Sequence, residues 1–396
     1  MTTFTVFFCG TGASHEDHQN PAYIDGELIA KLARNHPGLE FDDWIIVDGP
    51  GSGNLQEADK WVRPGNYCGP MGIGFGYGWE ENVAHAIAVI KKDPKWYRKS
   101  YTEKDKKALS SQFEQGLLDE NSVRKITPQH LQLARARIMK IPLPTVVNLV
   151  GWSRGAVTCH MMANAMAQDE QLKGVTVNIF AIDPVPGPLQ FQPHRVALGP
   201  NVQDYFGVFA RDERSFGFTP TLPKLSVRGS YLTVILPGRH GTLVGNAHAD
   251  GQRQGPQTFT APGRLVRHFA ELFLNCHGVT MTNCLNLSSY QQLKLYDEMV
   301  LLDAGYQAMQ RHSYTKLPDS LGKTRPIAQG HASTNTPLAK VTALESPGGF
   351  INTHHEYLWN RVIGGRDFSK LSLEQKKLLS SFPCTARRVV TNKAAL

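Results

Sequence analysis

Residues Thr145 to Ala165 read TVVNLVGWSRGAVTCHMMANA. The apolar, β-branched run Thr145 to Val150 predicts a strand, and the small and apolar residues after Gly155 have helical spacing. Between them stands Gly151-Trp152-Ser153-Arg154-Gly155, a Gly-x-Ser-x-Gly turn. Strand, turn and helix in that order form a nucleophile elbow, in which a sharp turn exposes a serine above a sheet. Glycines two residues to either side fit because a Cβ there would collide with the neighbouring strand or helix. Ser153 is therefore the candidate nucleophile. The competing reading is a strand-to-helix turn whose serine only caps the helix.

The rest of the chain supplies partners in a consistent order. Val175 to Ile182 predicts a parallel-type strand ending in Asp183-Pro184, which offers a carboxylate at the strand's carboxyl end. Tyr231 to Leu236 predicts another, ending in Pro237-Gly238-Arg239-His240-Gly241-Thr242. Ser153, Asp183 and His240 follow the Ser…Asp…His chain order of α/β-hydrolase triads. His248 is the rival base. Further strands are expected at Phe4 to Phe8, Trp44 to Val47 and Val202 to Ala210. Helices are expected near Gly26 to Asn35, Trp79 to Lys92, Thr127 to Lys140, Arg264 to Asn275, Ser288 to Ala308, Phe350 to Ile363 and Leu371 to Phe382.

The loop Cys9-Gly10-Thr11-Gly12 follows the first strand. Its backbone N–H groups at Gly10 and Thr11, with that of Arg154, are candidates for an oxyanion hole. An ordinary turn or a phosphate-like cradle also fits, although GxGxxG and P-loop spacings are both absent. Asp212 and Glu213 are candidate carboxylates, with a structural ion-pair network as the blander alternative. Thr353-His354-His355-Glu356 could offer metal ligands, but adjacent histidines on a helix face different directions. Triad chemistry itself requires no metal or cofactor.

With 41% hydrophobic and 19% charged residues, the 396-residue composition is globular rather than disordered. No apolar run approaches the ~18 residues of a membrane span, and the N-terminus MTTFTVFFCGTG lacks a basic n-region, so no signal peptide is expected. Synthesis in the cytoplasm follows. The six cysteines are scattered without a CxxC, which suggests a reducing compartment. The fold class is α/β, with a mainly parallel sheet flanked by helices. Residues 1–284 are expected to form the catalytic domain, with cap-like insertions at about 15–43 and 93–128. Residues 285–396 are expected to form a mostly helical, basic region, in which Lys316 to Gly330 and Ser346 to Gly349 read as linkers. That region carries 14 Lys and Arg against 8 Asp and Glu, so it could dock on anionic lipid. No nucleic-acid motif is present.

Seven stretches in order resemble one family: FFCGTGAS, VDGPGSG, GFGYGWEENVAHAI, GWSRGA, IFAIDPV, RDERSFGFTP and LPGRHGTLVG. They cover roughly residues 4 to 275 and are similar to the DUF2235 family of α/β-hydrolases, which includes phospholipase effectors of type VI secretion. The resemblance implies Ser153 as nucleophile, Asp183 as acid and His240 as base, acting on phospholipid acyl esters. It also implies export by a specialised secretion system and a peripheral membrane location. Cys9 stands where the family usually has Asp, and Thr242-Leu243 stands where it has Asp-Val. The C-terminal residues match nothing in that family and resemble, by analogy only, effectors delivered into host cells. Two other functions remain open: a non-catalytic lipid-binding protein, and an esterase of small or peptidoglycan-like substrates.

Overall fold

The apolar runs become six parallel strands of one sheet. A computed structural model describes residues 2–52, 78–92, 142–188, 190–225, 230–249, 255–312, 324–329 and 340–343. The strands are β1 (Thr3–Phe8), β2 (Trp44–Val47), β3 (Val146–Trp152), β4 (Thr176–Ile182), β5 (Val202–Ala210) and β6 (Ser230–Leu236). Their spatial order is β2-β1-β3-β4-β5-β6, and every neighbouring pair is parallel. Parallel sheets are covered on both faces, which is why these strands read as apolar runs rather than as alternating ones.

Alternate side chains nevertheless divide between two cores. Phe7, Val150, Phe180, Val208 and Val234 face α1 (Leu28–Arg34), α4 (Ala261–Cys276) and α5 (Ser289–Leu301). Phe4, Val6, Phe8, Leu149 and Ile179 face α2 (Trp79–Lys91) and α3 (Arg154–Gln168). The result is a helix–sheet–helix sandwich, an α/β fold. The segment 15–43 supplies α1, whose Leu28, Ile29, Ala30, Leu32 and Ala33 are buried in the first core. The segment 93–128 and the expected helix at 127–140 lie outside the described residues.

The chain reverses direction across the sheet at β1. Strands to one side of it are β2, and to the other β3, β4, β5 and β6. In open α/β sheets ligands bind at such a switch point, beyond the carboxyl ends of the strands. Register keeps those ends level: Phe8 pairs with Gly151, Trp152 with Ile182, and Ala210 with Leu236. The loops that begin at Cys9, Ser153, Asp183, Arg211 and Pro237 therefore leave the sheet at one edge.

The single long helix expected over Ser288 to Ala308 is two helices, α5 and α6 (Asp303–Ala308), separated at Leu302. Ser288 starts α5 with a capping box closed by Gln291. Leu293, Leu295, Tyr296, Met299, Tyr306 and Met309 share a core with the sheet's first face, so residues on both sides of position 284 pack together. The segment read as a linker, Lys316 to Gly330, contains a strand. β7 (Pro326–Gln329) pairs parallel with the short strand Thr221–Leu222 and antiparallel with β8 (Lys340–Ala343). Four residues that begin with a proline are too few to register as a period-2 pattern. The expected helices Phe350 to Ile363 and Leu371 to Phe382 lie outside the described residues, as does the Thr353–Glu356 cluster. Among the described residues, no helix is long and apolar enough to cross a membrane.

Candidate active site

β3 ends at Trp152 and α3 begins at Arg154, so one residue makes the turn. Ser153 takes φ 60° and ψ −127°, a left-handed backbone that a side-chain-bearing residue adopts only under constraint. Its N–H donates to Ile182 O at 2.9 Å. The serine side chain makes no capping hydrogen bond to α3, which removes the reading of Ser153 as a simple helix cap. Both motif glycines are sterically required. A Cβ on Gly151 would stand 2.5 Å from the Gly155 carbonyl, and one on Gly155 would stand 2.2 Å from Phe8 O.

Asp183 follows β4 in the same manner, at φ 44° and fully buried. His240 opens a short 3-10 turn after β6, and Gly238 at φ +103° lets the chain turn into it. His240 Nδ1 lies 2.6 Å from Asp183 Oδ2. An ionised carboxylate can only accept, so Nδ1 donates and Nε2 is left as the basic nitrogen. The imidazole sits against the Trp152 ring at a centroid distance of 5.0 Å and meets the Phe218 ring edge-on at 5.2 Å. Ser153 and His240 both line one cavity of about 440 Å³. The rival His248 turns away, with its Nδ1 donating to Gly255 O at 2.9 Å.

The loop after β1 closes the other side of that cavity. Thr11 lines it with Arg154, and Thr11 Oγ1 accepts from Arg154 Nη1 at 2.9 Å, tying loop to elbow. Gly10 passes so close to Trp152 that a Cβ would lie 2.4 Å from the indole. Burial draws the Arg154 guanidinium down to about 10. Arg154 is the first residue of α3, so its backbone N–H lies in the helix's first turn. Cys9 is buried behind this loop, and burial pushes its thiol up. Thr242 fixes the base loop: its Oγ1 accepts from Arg239 N at 3.0 Å, while Leu243 is in the core.

Asp212 and Glu213 belong to a network that holds the site. Asp212 Oδ2 accepts from Gly238 N at 2.8 Å and pairs with Arg211, which reaches Asp303 of α6 at 2.8 Å. Glu213 accepts from Ser215 N and Oγ and from His240 N, and lies 3.5 Å from Arg239 Nε. Burial alone would raise the Glu213 carboxyl; Arg239, the Ser215 hydroxyl and the neighbouring Arg325 and His240 outweigh it and lower it.

One residue of the site was not legible beforehand. Arg325, immediately before β7 and 2% exposed, places Nη1 at 2.6 Å from Asp183 Oδ1 and Nη2 at 2.8 Å from Oδ2. The same guanidinium donates to Ala210 O at 2.6 Å and to Phe218 O at 2.8 Å. Ala210 N completes the carboxylate shell at 3.1 Å from Oδ1. Burial would raise the Asp183 carboxyl, but Arg325 and then His240 hold it down to about 2. The only sequence signal was a lone Arg-Pro inside a stretch of linker composition.

The chain matches no protein-family model and no curated protein. Among solved structures it is similar to a Tle1 effector bound to the VgrG spike from the Type 6 secretion system, at 15% identity and a TM-score of 0.31. That likeness covers 61% of this chain and 50% of the effector, so the chain spans half the effector's length. It is also similar to an uncharacterized protein from Pseudomonas aeruginosa, at 12% identity and a TM-score of 0.42, over 97% of this chain and 66% of that one. At these values neither neighbour assigns a function to the chain.

Proposed function

We propose that the chain is a serine hydrolase of carboxylic esters, with phospholipids as the substrate class. The observation that carries the reading is the 2.6 Å pair of His240 and Asp183 beside a strained Ser153 on one cavity wall. His240 Nε2 takes the Ser153 proton as Oγ attacks the ester carbonyl, and Asp183 stabilises the imidazolium. We assign the N–H groups of Arg154, Gly10 and Thr11 to the developing oxyanion, where losing one donor costs about 3 kcal/mol. Collapse of the tetrahedral intermediate expels the alcohol, which takes the proton back from His240. Water, deprotonated by His240, then attacks the acyl-serine and releases the carboxylic acid.

Phospholipid rests on the family resemblance, and the aromatic wall of Tyr23, Trp152 and Phe218 supports an acyl chain there. Phe216, 62% exposed and two residues from Phe218, adds apolar surface nearby. Docking of the basic residues 285–396 on anionic lipid, and delivery to a target membrane by a secretion system, belong to the same reading. A second reading has its own support: about 440 Å³ suits a small ligand better than a whole two-chain lipid. Fatty-acid release from phospholipid vesicles, measured beside hydrolysis of soluble short-chain esters, separates the two. Release from vesicles at the higher kcat/KM is expected. Hydrolysis of soluble esters alone moves the substrate to small esters, and activity on neither rejects the enzyme.

A further inference from the structure

We propose that Arg325 is a positioning residue of the hydrolase, acting through Asp183 from the residue that leads into β7. The inference rests on the triad reading above. Every oxygen lone pair of the Asp183 carboxylate that faces protein is met by a donor: His240 Nδ1, both Arg325 terminal nitrogens and Ala210 N. A bidentate fork fixes the plane of a carboxylate, which a single histidine donor cannot do. The plane of Asp183 in turn sets the direction in which His240 presents Nε2.

Arg325 is itself built in. Its guanidinium also holds Ala210 O at the end of β5 and Phe218 O, so it spans the loop that packs Phe218 on the base. Arg214 Nη1 donates to Thr324 O, anchoring the residue before it. β7, which begins at Pro326, is tied to the body of the protein by Ala328 pairing with Thr221 and Gln329 with Leu222. The motif Arg211 to Arg214 thus connects the base loop, α6 and the Arg325 segment.

The charged groups around the dyad are Arg325, Glu213 and Arg239, with Asp183 and His240 themselves. Arg325 supplies the cation that offsets the buried Asp183 carboxylate, while its fork sets that carboxylate's plane.

The full-length protein and a soluble ester test this. Arg325→Met is expected to lower kcat by about 100-fold, the cost of displacing a reacting group by on the order of 1 Å, with KM little changed. Arg325→Lys keeps the charge without the fork, so it should lose kcat as well. Guanidinium ion at millimolar concentration should restore part of the activity of Arg325→Ala. Wild-type kcat in Arg325→Met would overturn the proposal. If that variant does not fold, wild-type kcat in Arg325→Lys overturns it instead. Ser153→Ala, run alongside, distinguishes the failures: undiminished ester release there rejects the triad and this role together, whereas its loss beside an unaffected Arg325→Met rejects the role of Arg325 alone.

Discussion

Ser153→Ala is expected to lower kcat for ester hydrolysis by at least ~10⁴-fold, leaving what the oxyanion donors and binding supply on their own. The loss falls on chemistry because the hydroxyl is the only atom removed. Alanine shares the Cβ that serine already carries at φ 60°, so the turn is no more strained than before. The side chain caps nothing, so α3 keeps its N-terminus. Circular dichroism and the thermal midpoint should therefore match wild type while fatty-acid release disappears. Hydrolysis within tenfold of wild type would show that another residue carries the reaction.

Asp183→Asn should have the second-largest effect, on activity and stability together. An amide presents one acceptor and one donor where the carboxylate presents two acceptors. Either His240 Nδ1 or the Arg325 fork then faces an N–H group. A mispositioned base costs ~10⁴-fold in kcat in triads of this type. A buried guanidinium that loses its counter-charge costs about 3–5 kcal/mol. The wild-type pH dependence follows from the same contacts. The Asp183 carboxyl is held at about 2 against an ordinary 3.8, so its stabilisation is complete above 3.8 and is lost as pH falls through about 2. That component amounts to roughly 2 kcal/mol and should be missing in Asp183→Asn. Urea unfolding from neutral pH down to pH 2 reads both: a lower plateau for the variant and a shallower acid decline. Equal plateaus and equal declines would contradict the clamp.

Much of this architecture could be read from local pattern. β1 to β4 are almost wholly buried, and β5 and β6 are buried toward their carboxyl ends, so each appears as an apolar run, and the expected bounds fall within a residue or two of those observed. Ser153, Asp183 and His240 were candidates because each stands just past such a run. The structure places all three beyond the same sheet edge and brings Asp183 and His240 together. Arg325 escaped notice for the opposite reason. It meets Asp183 across 142 residues, from just before a four-residue strand whose short partner, Thr221–Leu222, also lies far back in the chain. The break at Leu302 was hidden because apolar residues continue at helical spacing from α5 into α6. Long-range pairing and a change of helix axis leave no mark on local periodicity.

The most direct measurement is covalent. A fluorophosphonate probe reacts with a serine only when a base and an oxyanion hole activate it. Incubation of the wild-type chain with such a probe, followed by peptide mapping, is predicted to place the adduct on Ser153. The adduct should be absent from Ser153→Ala and slowed in Asp183→Asn. An adduct on a different residue, or none on a preparation that hydrolyses esters, would contradict the account.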